Sequence, residues 1–344
     1  MLDTEQITND QLFQTLSNIK DPNGHPLYSL EKCGQLTPLI NEINKLKNEC
    51  NAVILAHTYT VPEIIYGVAD FVGDSYALSK NATETNAQTI VFAAVRFMGE
   101  TAKVLNPNKE VLLPAQDGGC TLADCIDASK VKELRRQYPD FTFVCYINTT
   151  VAVKAECDVC VTSGNINKVI STIPQNKIFF LPDKFMAQNL IRDFKKKGVK
   201  KEIKYYSGSC YTHEEFTFQE VQRIRQQHPD IKIVAHPECK PEICNLADYI
   251  GSTAQILDFI INTTYTDFIM LTEEGLGKRI NVEFPQKRLI GPEKICKYMK
   301  SNTLEDIKRV LTQPTEKNKI AIDEPIRQRA EKCIAAMFKY TEGK

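Results

Sequence analysis

Three of the twelve cysteines occupy one recurring position in this 344-residue chain. Cys120, Cys210 and Cys296 each close the last apolar run of a similar stretch, in KEVLLPAQDGGC, KEIKYYSGSC and KRLIGPEKIC. They lie 90 and 86 residues apart, so they cannot form the close CxxC pairs of structural zinc sites. Thiolates bind soft metals, and the three cysteines therefore predict a metal centre if the fold brings them together.

Three thiolates suit an iron–sulfur cluster better than a closed zinc site. A [4Fe–4S] cluster normally takes four cysteines, so three would leave one iron without a protein ligand. Such an iron can act as a Lewis acid on a substrate oxygen. Gly119 and Gly208 precede two of the cysteines, and glycine lets the backbone approach a bulky group closely. Three unrelated core cysteines, or a zinc-bound structural protein, are the alternatives.

A regular series of short apolar runs must position these cysteines. Nine runs end in polar turns, which is typical of buried strands: 51–57, 89–95, 110–114, 141–147, 177–183, 202–208, 231–238, 266–274 and 287–292. Helical stretches such as KFMAQNLIRDFKKKG lie between them. This alternation predicts parallel sheets flanked by helices, which bind ligands at the carboxyl ends of their strands.

The runs fall into three sets that can be superimposed. In each set an aspartate precedes a hydroxyl residue by five positions: Asp70 and Ser75, Asp158 and Ser163, Asp248 and Thr253. Such a repeat indicates copies of one supersecondary unit. We predict an α/β fold of three homologous three-layer α/β/α units with small parallel sheets about a pseudo-threefold axis, with the cluster at their junction. The predicted segments are a helical extension (1–35), unit 1 (36–120), unit 2 (121–210), unit 3 (211–300) and a C-terminal helical segment packed back on the body (301–344).

The same superposition separates the remaining cysteines of unit 2 from the metal ligands. Three of them align with apolar residues in the other units: Cys145 with Ala56 and Ala235, Cys157 with Ala69 and Ala247, Cys160 with Val72 and Ile250. Cysteine at such positions behaves as a small buried hydrophobe. We therefore predict that the CxxC formed by Cys157 and Cys160 belongs to the core.

Polar side chains cluster at the ends of the first predicted strands. The pairs are His57 and Tyr59 in unit 1, Tyr146 and Asn148 in unit 2, and His236 and Glu238 in unit 3. Each pair is two residues apart, a spacing that on a strand puts both side chains on one face. His213 follows Cys210 by three residues. Histidines at related strand ends near the proposed cluster favour catalysis.

Hydroxyl side chains stand at the predicted strand-to-helix turns: Ser75, Ser163, Ser252 and Thr253. A hydroxyl there caps the helix, which is a sufficient role by itself. Helix N-termini also bind carboxylates and phosphates. The sequence leaves capping alone and capping with anion binding equally open.

Composition excludes several other classes of function. Lys plus Arg and Asp plus Glu are both 43, so no excess charge favours nucleic acid or an acidic membrane surface as a partner. No apolar run approaches the ~18 residues of a membrane span. The N-terminal MLDTEQITND is acidic and polar, unlike a signal or transit peptide. We expect a cytoplasmic protein with small-molecule substrates.

The motifs of the chain resemble those of the quinolinate synthase family, the A proteins of de novo NAD biosynthesis. They run in order from about residue 50 to 308: AHTY, GDSYALS, FMGETAK, GGCTLAD, YINTT, VTSGN, SGSCYTHEEF, AHPEC, GST and CKYMKSNTLEDI. The chain departs from the family in ICKYMKSNTL, where ECPYMKMNTL is usual, and at Thr58, Thr60 and Ser207. Each altered residue lies beside a proposed functional position and does not occupy one.

The resemblance implies a fold, a cofactor and a reaction. It implies that Cys120, Cys210 and Cys296 hold a [4Fe–4S] cluster with one open iron. The implied activity is condensation of iminoaspartate with dihydroxyacetone phosphate to quinolinate, with release of phosphate and two waters. L-aspartate oxidase or aspartate dehydrogenase would supply iminoaspartate, and the iron–sulfur assembly machinery would load the cluster. Another [4Fe–4S] hydro-lyase acting on a small anionic substrate is the alternative function.

The resemblance also implies roles for the polar residues. Glu238 would be the general base, with a pKa raised towards the working pH by a closed cavity. His236 would position substrate, Tyr59 with His57 would assist proton transfers, and His213 would lie near the cluster. The implied substrate ligands are His57, Ser75, Tyr146, Asn148, Ser163, His236, Glu238, Ser252 and Thr253.

Overall fold

The strands form three parallel sheets of the same topology. The computed structural model describes residues 6–20, 24–115 and 117–342. The strands are β1 (Ala52–His57), β2 (Phe71–Gly73), β3 (Thr89–Ala93), β4 (Glu110–Leu112), β5 (Thr142–Tyr146), β6 (Val159–Val161), β7 (Lys177–Leu181), β8 (Glu202–Tyr205), β9 (Lys232–Ala235), β10 (Tyr249–Ile250), β11 (Asp267–Leu271) and β12 (Arg288–Leu289). Their orders are β2-β1-β3-β4, β6-β5-β7-β8 and β10-β9-β11-β12. The prediction of three similar α/β units is confirmed.

Helices flank the sheets and follow the strands in alternation. They are α1 (Asn9–Leu16), α2 (Leu30–Glu49), α3 (Pro62–Gly67), α4 (Ser75–Glu84), α5 (Arg96–Leu105), α6 (Ala128–Gln137), α7 (Val151–Lys154), α8 (Ile166–Thr172), α9 (Lys184–Lys197), α10 (Tyr211–Glu214), α11 (Phe218–Gln227), α12 (Pro241–Cys244), α13 (Thr253–Asn262), α14 (Glu274–Glu283), α15 (Lys297–Lys300), α16 (Leu304–Thr312) and α17 (Glu324–Glu342). The predicted segment boundaries stay predictions, and parts of the first and last segments (1–5, 21–23, 343–344) lie outside the described residues.

All nine predicted runs contain a strand, whereas the short strands β2, β6 and β10 were not predicted. These three strands are only two or three residues long and, unlike the equally short β4 and β12, they lie outside the predicted apolar runs. They lie at one edge of each sheet, paired with β1, β5 and β9. The pairing registers put Cys145 opposite Cys160, Ala56 opposite Val72, and Ala235 opposite Ile250, as the superposition of the three repeats requires.

The repeated aspartate fastens the start of each edge strand to the first strand of its unit. Its carboxylate accepts a hydrogen bond of 2.8 Å from a backbone N–H of that first strand: Asp70 from Ile54, Asp158 from Phe143, Asp248 from Ile233. Its own N–H donates back to the carbonyl of the same residue. On the helix that precedes the first strand of each unit, one basic residue forms an ion pair with the aspartate carboxylate. These residues are Lys47, Arg135 and Arg225. The aspartate therefore joins helix, first strand and edge strand in every unit.

The C-terminal helices cover parts of units 1 and 2. Helix α16 packs on α2 and β3, and α17 packs on β6, α7, α8 and α5. The Cys333 thiol on α17 lies 3.6 Å from the Cys145 thiol of β5, and both residues are buried. Cys157 and Cys160 are buried in the same core, as predicted. Within the described residues, no helix is long and apolar enough to cross a membrane.

We predict that Asp248→Ala lowers the free energy of unfolding by about 1–3 kcal/mol, because the Ile233 N–H loses its acceptor. Chemical denaturation of the variant and the parent measures the change. Asp140→Ala is the control, because Asp140 forms only an exposed ion pair with Lys177 and should cost less than about 1 kcal/mol. Equal losses in the two variants would contradict the structural role given to the repeated aspartate.

Candidate active site

One cavity lies where loops of the three units meet, and every unit contributes side chains to its wall. All the predicted site residues except Ser252 line it: His57, Tyr59, Ser75, Cys120, Tyr146, Asn148, Ser163, Cys210, His213, His236, Glu238, Thr253 and Cys296. The wall also contains residues that the sequence did not single out, among them Asp74, Thr162, Thr212, Glu273 and Met299. The carboxyl ends of the strands in all three parallel sheets therefore face the same cavity.

The three recurring cysteines converge on this cavity, but none closes its strand directly as predicted. Loops separate Cys120 from the end of β4, Cys210 from the end of β8 and Cys296 from the end of β12. Cys210 and Cys296 are the N-cap residues of the short helices α10 and α15. All three are half-buried. Loops give the thiols the reach that strand ends alone would lack.

The electrostatics of the thiols suit a cationic group among them. Burial raises the pKa of Cys120 to about 12, and the neighbouring Cys296 adds to the shift. Burial also raises the pKa of Cys210, with further increases from the charges of Glu238, Cys120 and Cys296. As anions the three sulfurs repel one another, so a cationic metal group would relieve that repulsion. The donor set therefore fits an iron–sulfur cluster held by three cysteines.

Protein packing accounts for one of the two glycines near the thiols, Gly208. A Cβ on Gly208 would lie 2.5 Å from the Cys125 sulfur and 2.8 Å from the Pro182 carbonyl oxygen. A Cβ on Gly119 would lie 3.4 Å from the Tyr298 ring. Gly208 is therefore required by close packing against Cys125 and Pro182, and the predicted approach of its backbone to a cluster stays a prediction.

Tyr211 fixes the loop that carries Cys296, where the sequence departs from the family motif. Its hydroxyl donates to the carbonyl of Ile295 at 3.2 Å and accepts from the N–H of Lys297 at 2.8 Å. Ile295 itself is 51% exposed. The backbone on both sides of Cys296 is therefore held by Tyr211, although the neighbouring side chains differ from the family motif.

The second member of each polar pair lies on a turn, whereas His57 and Tyr146 are the last residues of β1 and β5. In unit 1 the turn is closed by the Thr60 N–H donating to the His57 carbonyl at 2.9 Å, and in unit 3 by the Cys239 N–H donating to the His236 carbonyl at 3.0 Å. Strand β9 ends at Ala235, before the pair begins. The prediction that a strand aligns each pair was wrong, yet the turns bring both members of each pair to the cavity.

The two related histidines are held as neutral rings. The Tyr59 N–H donates to Nδ1 of His57 at 3.1 Å, and the Glu238 N–H donates to Nδ1 of His236 at 3.4 Å. Burial lowers the pKa of both rings to about 3. Since Nδ1 accepts, the proton of each neutral ring is assigned to Nε2. Each ring can therefore donate a hydrogen bond without carrying charge.

Glu238 is a buried carboxylate with partners from two units. The Tyr146 hydroxyl donates to its Oε1 at 2.7 Å, and Nδ1 of His213 lies 3.1 Å from its Oε2. Burial by itself would raise the pKa of Glu238, but His213, His236 and the Tyr146 hydroxyl together hold it below the usual value. The expected rise in this pKa was wrong, because charge and hydrogen bonding outweigh desolvation here.

Thr272, which the sequence did not single out, links Tyr59 to His213, which contacts Glu238. Its hydroxyl lies 2.7 Å from the Tyr59 hydroxyl and 3.0 Å from Nε2 of His213. The Tyr59 hydroxyl also contacts the Thr253 hydroxyl at 2.7 Å. A continuous hydrogen-bonded series therefore runs from Tyr59 through Thr272 and His213 to Glu238. Thr272 follows β11 directly, so the strand-end rule could have indicated it.

The hydroxyl residues differ in their relation to the helices. Ser252 caps α13, because its side chain accepts from the Gln255 N–H. Asp74 rather than Ser75 caps α4, and Asn165 rather than Ser163 is the N-cap of α8. Ser75 and Ser163 are therefore not the caps that the sequence suggested, and their hydroxyls face the cavity instead.

Asn148 presents an unpartnered polar atom at the cavity wall. Its Oδ1 is buried and has no hydrogen-bond partner within the described residues. Buried polar atoms in proteins are normally hydrogen-bonded. The amide is therefore available to a ligand.

Glu273 and Lys300 form a buried support beside Cys296. The Glu273 carboxylate accepts from the Cys296 N–H at 3.1 Å and from the Gly275 N–H at 2.7 Å. Nζ of Lys300 lies 3.0 Å from that carboxylate and donates to the Tyr59 carbonyl at 2.7 Å. This pair couples the thiol loop to the Tyr59 turn.

A second arrangement of metal ligands is present in the same cavity. Among the described residues, one group of His, Cys, Asp and Glu side chains has its ligand atoms all within 4.8 Å of one another: Cys210, His213 and Glu238. Such a mixed set resembles the three protein ligands of catalytic zinc sites.

Comparison with known proteins identifies the family. A family model described as quinolinate synthetase A protein matches residues 41–339. The quinolinate synthase of Alkaliphilus metalliredigens is 42% identical over 304 residues, which cover 88% of this chain and 98% of that protein. Those of Caldicellulosiruptor bescii (42% over 302 residues; 87% and 97%) and Aquifex aeolicus (41% over 311 residues; 88% and 94%) are similar. The chain therefore belongs to the quinolinate synthase family.

Proposed function

We propose that this chain condenses iminoaspartate with dihydroxyacetone phosphate to quinolinate, releasing phosphate and two waters. The observation that carries the proposal is the convergence of three thiols from three units on one cavity that also holds Glu238. Ring closure to an aromatic product requires removal of protons from carbon and loss of oxygen from neighbouring carbon. The family membership and the cavity's mixture of base, neutral donors and metal ligands support this chemistry.

Cys120, Cys210 and Cys296 would hold the [4Fe–4S] cluster. When bound, a cluster with one iron free of protein ligands supplies a Lewis acid for a substrate hydroxyl. The mutual repulsion of the three sulfurs supports this assignment. Their spacing of 90 and 86 residues in the sequence, which excludes the close CxxC pairs of structural zinc sites, also supports it.

Glu238 would accept the proton from carbon. Its lowered pKa keeps the carboxylate ionised at neutral pH, which is the form that a general base requires. The two hydrogen bonds from Tyr146 and His213 fix the direction of the carboxylate. Protons accepted here can pass through His213 and Thr272 to the Tyr59 hydroxyl, because each step is within hydrogen-bond distance.

The neutral histidines would donate to substrate oxygens. Nε2–H of His57 and of His236 can polarise a carbonyl or orient a hydroxyl while adding no positive charge to the cavity. A permanent imidazolium there would compete with the proposed metal for the thiolates. Their low pKa therefore suits a site that has to hold a cationic group.

Polar groups at the helix N-termini would bind the anionic parts of the substrates. Ser75 and Thr253 are the first residues of α4 and α13, where free N–H groups favour carboxylate or phosphate. Ser163 and the Nδ2–H group of Asn148 would complete the set from unit 2, while the unpartnered Oδ1 of Asn148 would accept from a hydroxyl or amine of the substrate. Ser252 would act indirectly by capping α13. Supply of iminoaspartate by an aspartate-oxidising enzyme, loading by the iron–sulfur assembly machinery and a cytoplasmic location stay predictions.

A zinc enzyme is the second candidate, favoured by the close set of Cys210, His213 and Glu238. Zinc would occupy the atoms that the first proposal assigns to proton transfer. Protein purified without oxygen distinguishes the two. We expect a brown sample with about four irons per chain and broad absorbance near ~400 nm that forms a pyridine dicarboxylate from the two substrates. A colourless, zinc-loaded sample that forms none would contradict the proposal, and an iron-loaded sample with another product would indicate a different hydro-lyase.

We predict that Cys210→Ser loses iron and activity, because serine cannot replace a thiolate as a soft ligand. Cys160→Ala is the matched control: it removes a buried thiol outside the cavity and should retain the full iron content. Iron per chain and the visible spectrum measure both variants. Full iron in Cys210→Ser, or loss of iron in Cys160→Ala, would reverse the assignment of the cysteines.

We predict that Glu238→Gln keeps the cluster spectrum but lowers turnover by about 100-fold or more, because the amide cannot accept the proton. Glu293→Gln is the control, since Glu293 lies outside the wall of the cavity and should leave turnover unchanged. Quinolinate formation at saturating substrate is the measurement. Near-normal turnover in Glu238→Gln would remove Glu238 as the base.

A further inference from the structure

Glu238 is carried on a tight turn in which the side chain of His236 accepts from the Glu238 N–H at 3.4 Å. Glu238 occupies the third position of the turn 236–239. It follows Pro237, whose ring restricts the φ angle of Pro237 itself. The backbone hydrogen bond that closes this turn runs from the Cys239 N–H to the His236 carbonyl. Neither of these two bonds holds the carbonyls of the residues on the two sides of Glu238.

The equivalent turns of units 1 and 2 have an additional hydrogen bond, donated by a hydroxyl side chain of the turn. In unit 1 the Thr60 hydroxyl donates to the His57 carbonyl at 2.8 Å, and in unit 2 the Thr149 hydroxyl donates to the Tyr146 carbonyl at 2.9 Å. Unit 3 has Cys239 at this position, and its thiol is directed to the Leu271 carbonyl at 3.4 Å. The turn that carries Glu238 therefore lacks the internal hydroxyl bond of its counterparts.

Asn189, which belongs to a different unit, supplies side-chain hydrogen bonds to this turn instead. It lies on α9 of unit 2 and is 2% exposed. Its Nδ2 donates to the Pro237 carbonyl at 2.9 Å and to the Cys239 carbonyl at 2.8 Å. These are the carbonyls of the residues immediately before and after Glu238. Both amide protons are thus used on the two sides of one catalytic side chain.

We propose that Asn189 is a positioning residue that holds Glu238 in reach of Tyr146 and His213. The role assigned to Glu238 rests on the proposed function. Unit 2 supplies both the Tyr146 hydroxyl and the Asn189 amide, so it fixes the carboxylate group and its backbone together. Loss of the amide leaves the Pro237 carbonyl without its donor and the Cys239 carbonyl with only the weaker Cys244 thiol at 3.5 Å, and the turn then shifts to find other partners.

Asn189→Leu and Asn44→Leu form a matched pair of variants. Asn44, on α2, is 1% exposed and its Nδ2 donates to the Gly67 carbonyl at 2.9 Å. Oδ1 of Asn44 and Oδ1 of Asn189 both lack a partner among the described residues. Asn44 lies outside the wall of the cavity. Both substitutions remove a buried amide donor, but only one of them removes it from the Glu238 turn.

The kinetic test separates positioning from general stability. We expect Asn189→Leu to lower kcat by about 10–100-fold with little change in KM, because small displacements of a reacting group cost rate. Asn44→Leu should lose thermal stability with kcat unchanged. Both should retain the visible spectrum and iron content. Unchanged kcat in Asn189→Leu, or equal loss of kcat in both variants, would overturn the proposal.

Two further measurements keep the test decisive. Asn189→Ser can donate to only one of the two carbonyls, so it should fold more readily than the leucine variant and give an intermediate kcat; a kcat equal to that of the parent would count against the proposal. In a crystal structure of either variant, the Tyr146–Glu238 distance of 2.7 Å should lengthen beyond hydrogen bonding. An unchanged distance would overturn the positioning role whatever product the enzyme forms. If the parent forms no quinolinate, the proposed function fails separately.

Discussion

The common direction of the strands is the constraint on which the site depends. Each sheet is parallel throughout, so all of its carboxyl ends lie at one edge, and the loops that follow can reach a shared point. The repeated aspartate keeps the first strand, the edge strand and the preceding helix in the same relation in every unit. Three units built alike can thus each direct one thiol and one pair of polar side chains at the same cavity.

The convergence of the three units places several ionisable side chains in one buried cavity. The surrounding groups determine which of these side chains are charged. Burial raises the pKa of the thiols and lowers that of His57 and His236, whereas Glu238 is held ionised by its neighbours. Removing one partner of a buried charge is costly, because the remaining charge is left without compensation. The hydrogen bonds around Glu238 therefore determine both its protonation and its orientation.

The sequence predicted the features that repetition makes visible. The three units and the sorting of Cys145, Cys157 and Cys160 into the core came from aligning the chain with itself, and nine strands came from the apolar runs. Local geometry was less accessible: the second residue of each polar pair was expected on a strand but lies on a turn, and Ser75 is not a helix cap. Spacing alone does not show where a strand ends.

Residues that act across units were the hardest to find. Asn189 and Lys300 contact the site from other elements, and nothing in their local sequence marks those contacts. The pKa of Glu238 was misjudged because the sequence does not show that the His213 ring lies against its carboxylate. Glu273 could have been recognised, because it aligns with Asp183. Each of the two residues pairs with the residue two positions before a proposed cysteine ligand, Asp183 with Gly208 and Glu273 with Lys294.

The position of α17 has a consequence for biosynthesis. Strand β6 and helices α7 and α8, which this helix covers, leave the ribosome more than a hundred residues before it does. Until it arrives, the apolar flank of the middle unit faces water, and the Cys145 thiol lacks its neighbour on Cys333. Nascent chains at that stage expose a surface on which chaperones act and aggregation begins. Completion of the middle unit thus awaits a segment translated after all three sheets have been made.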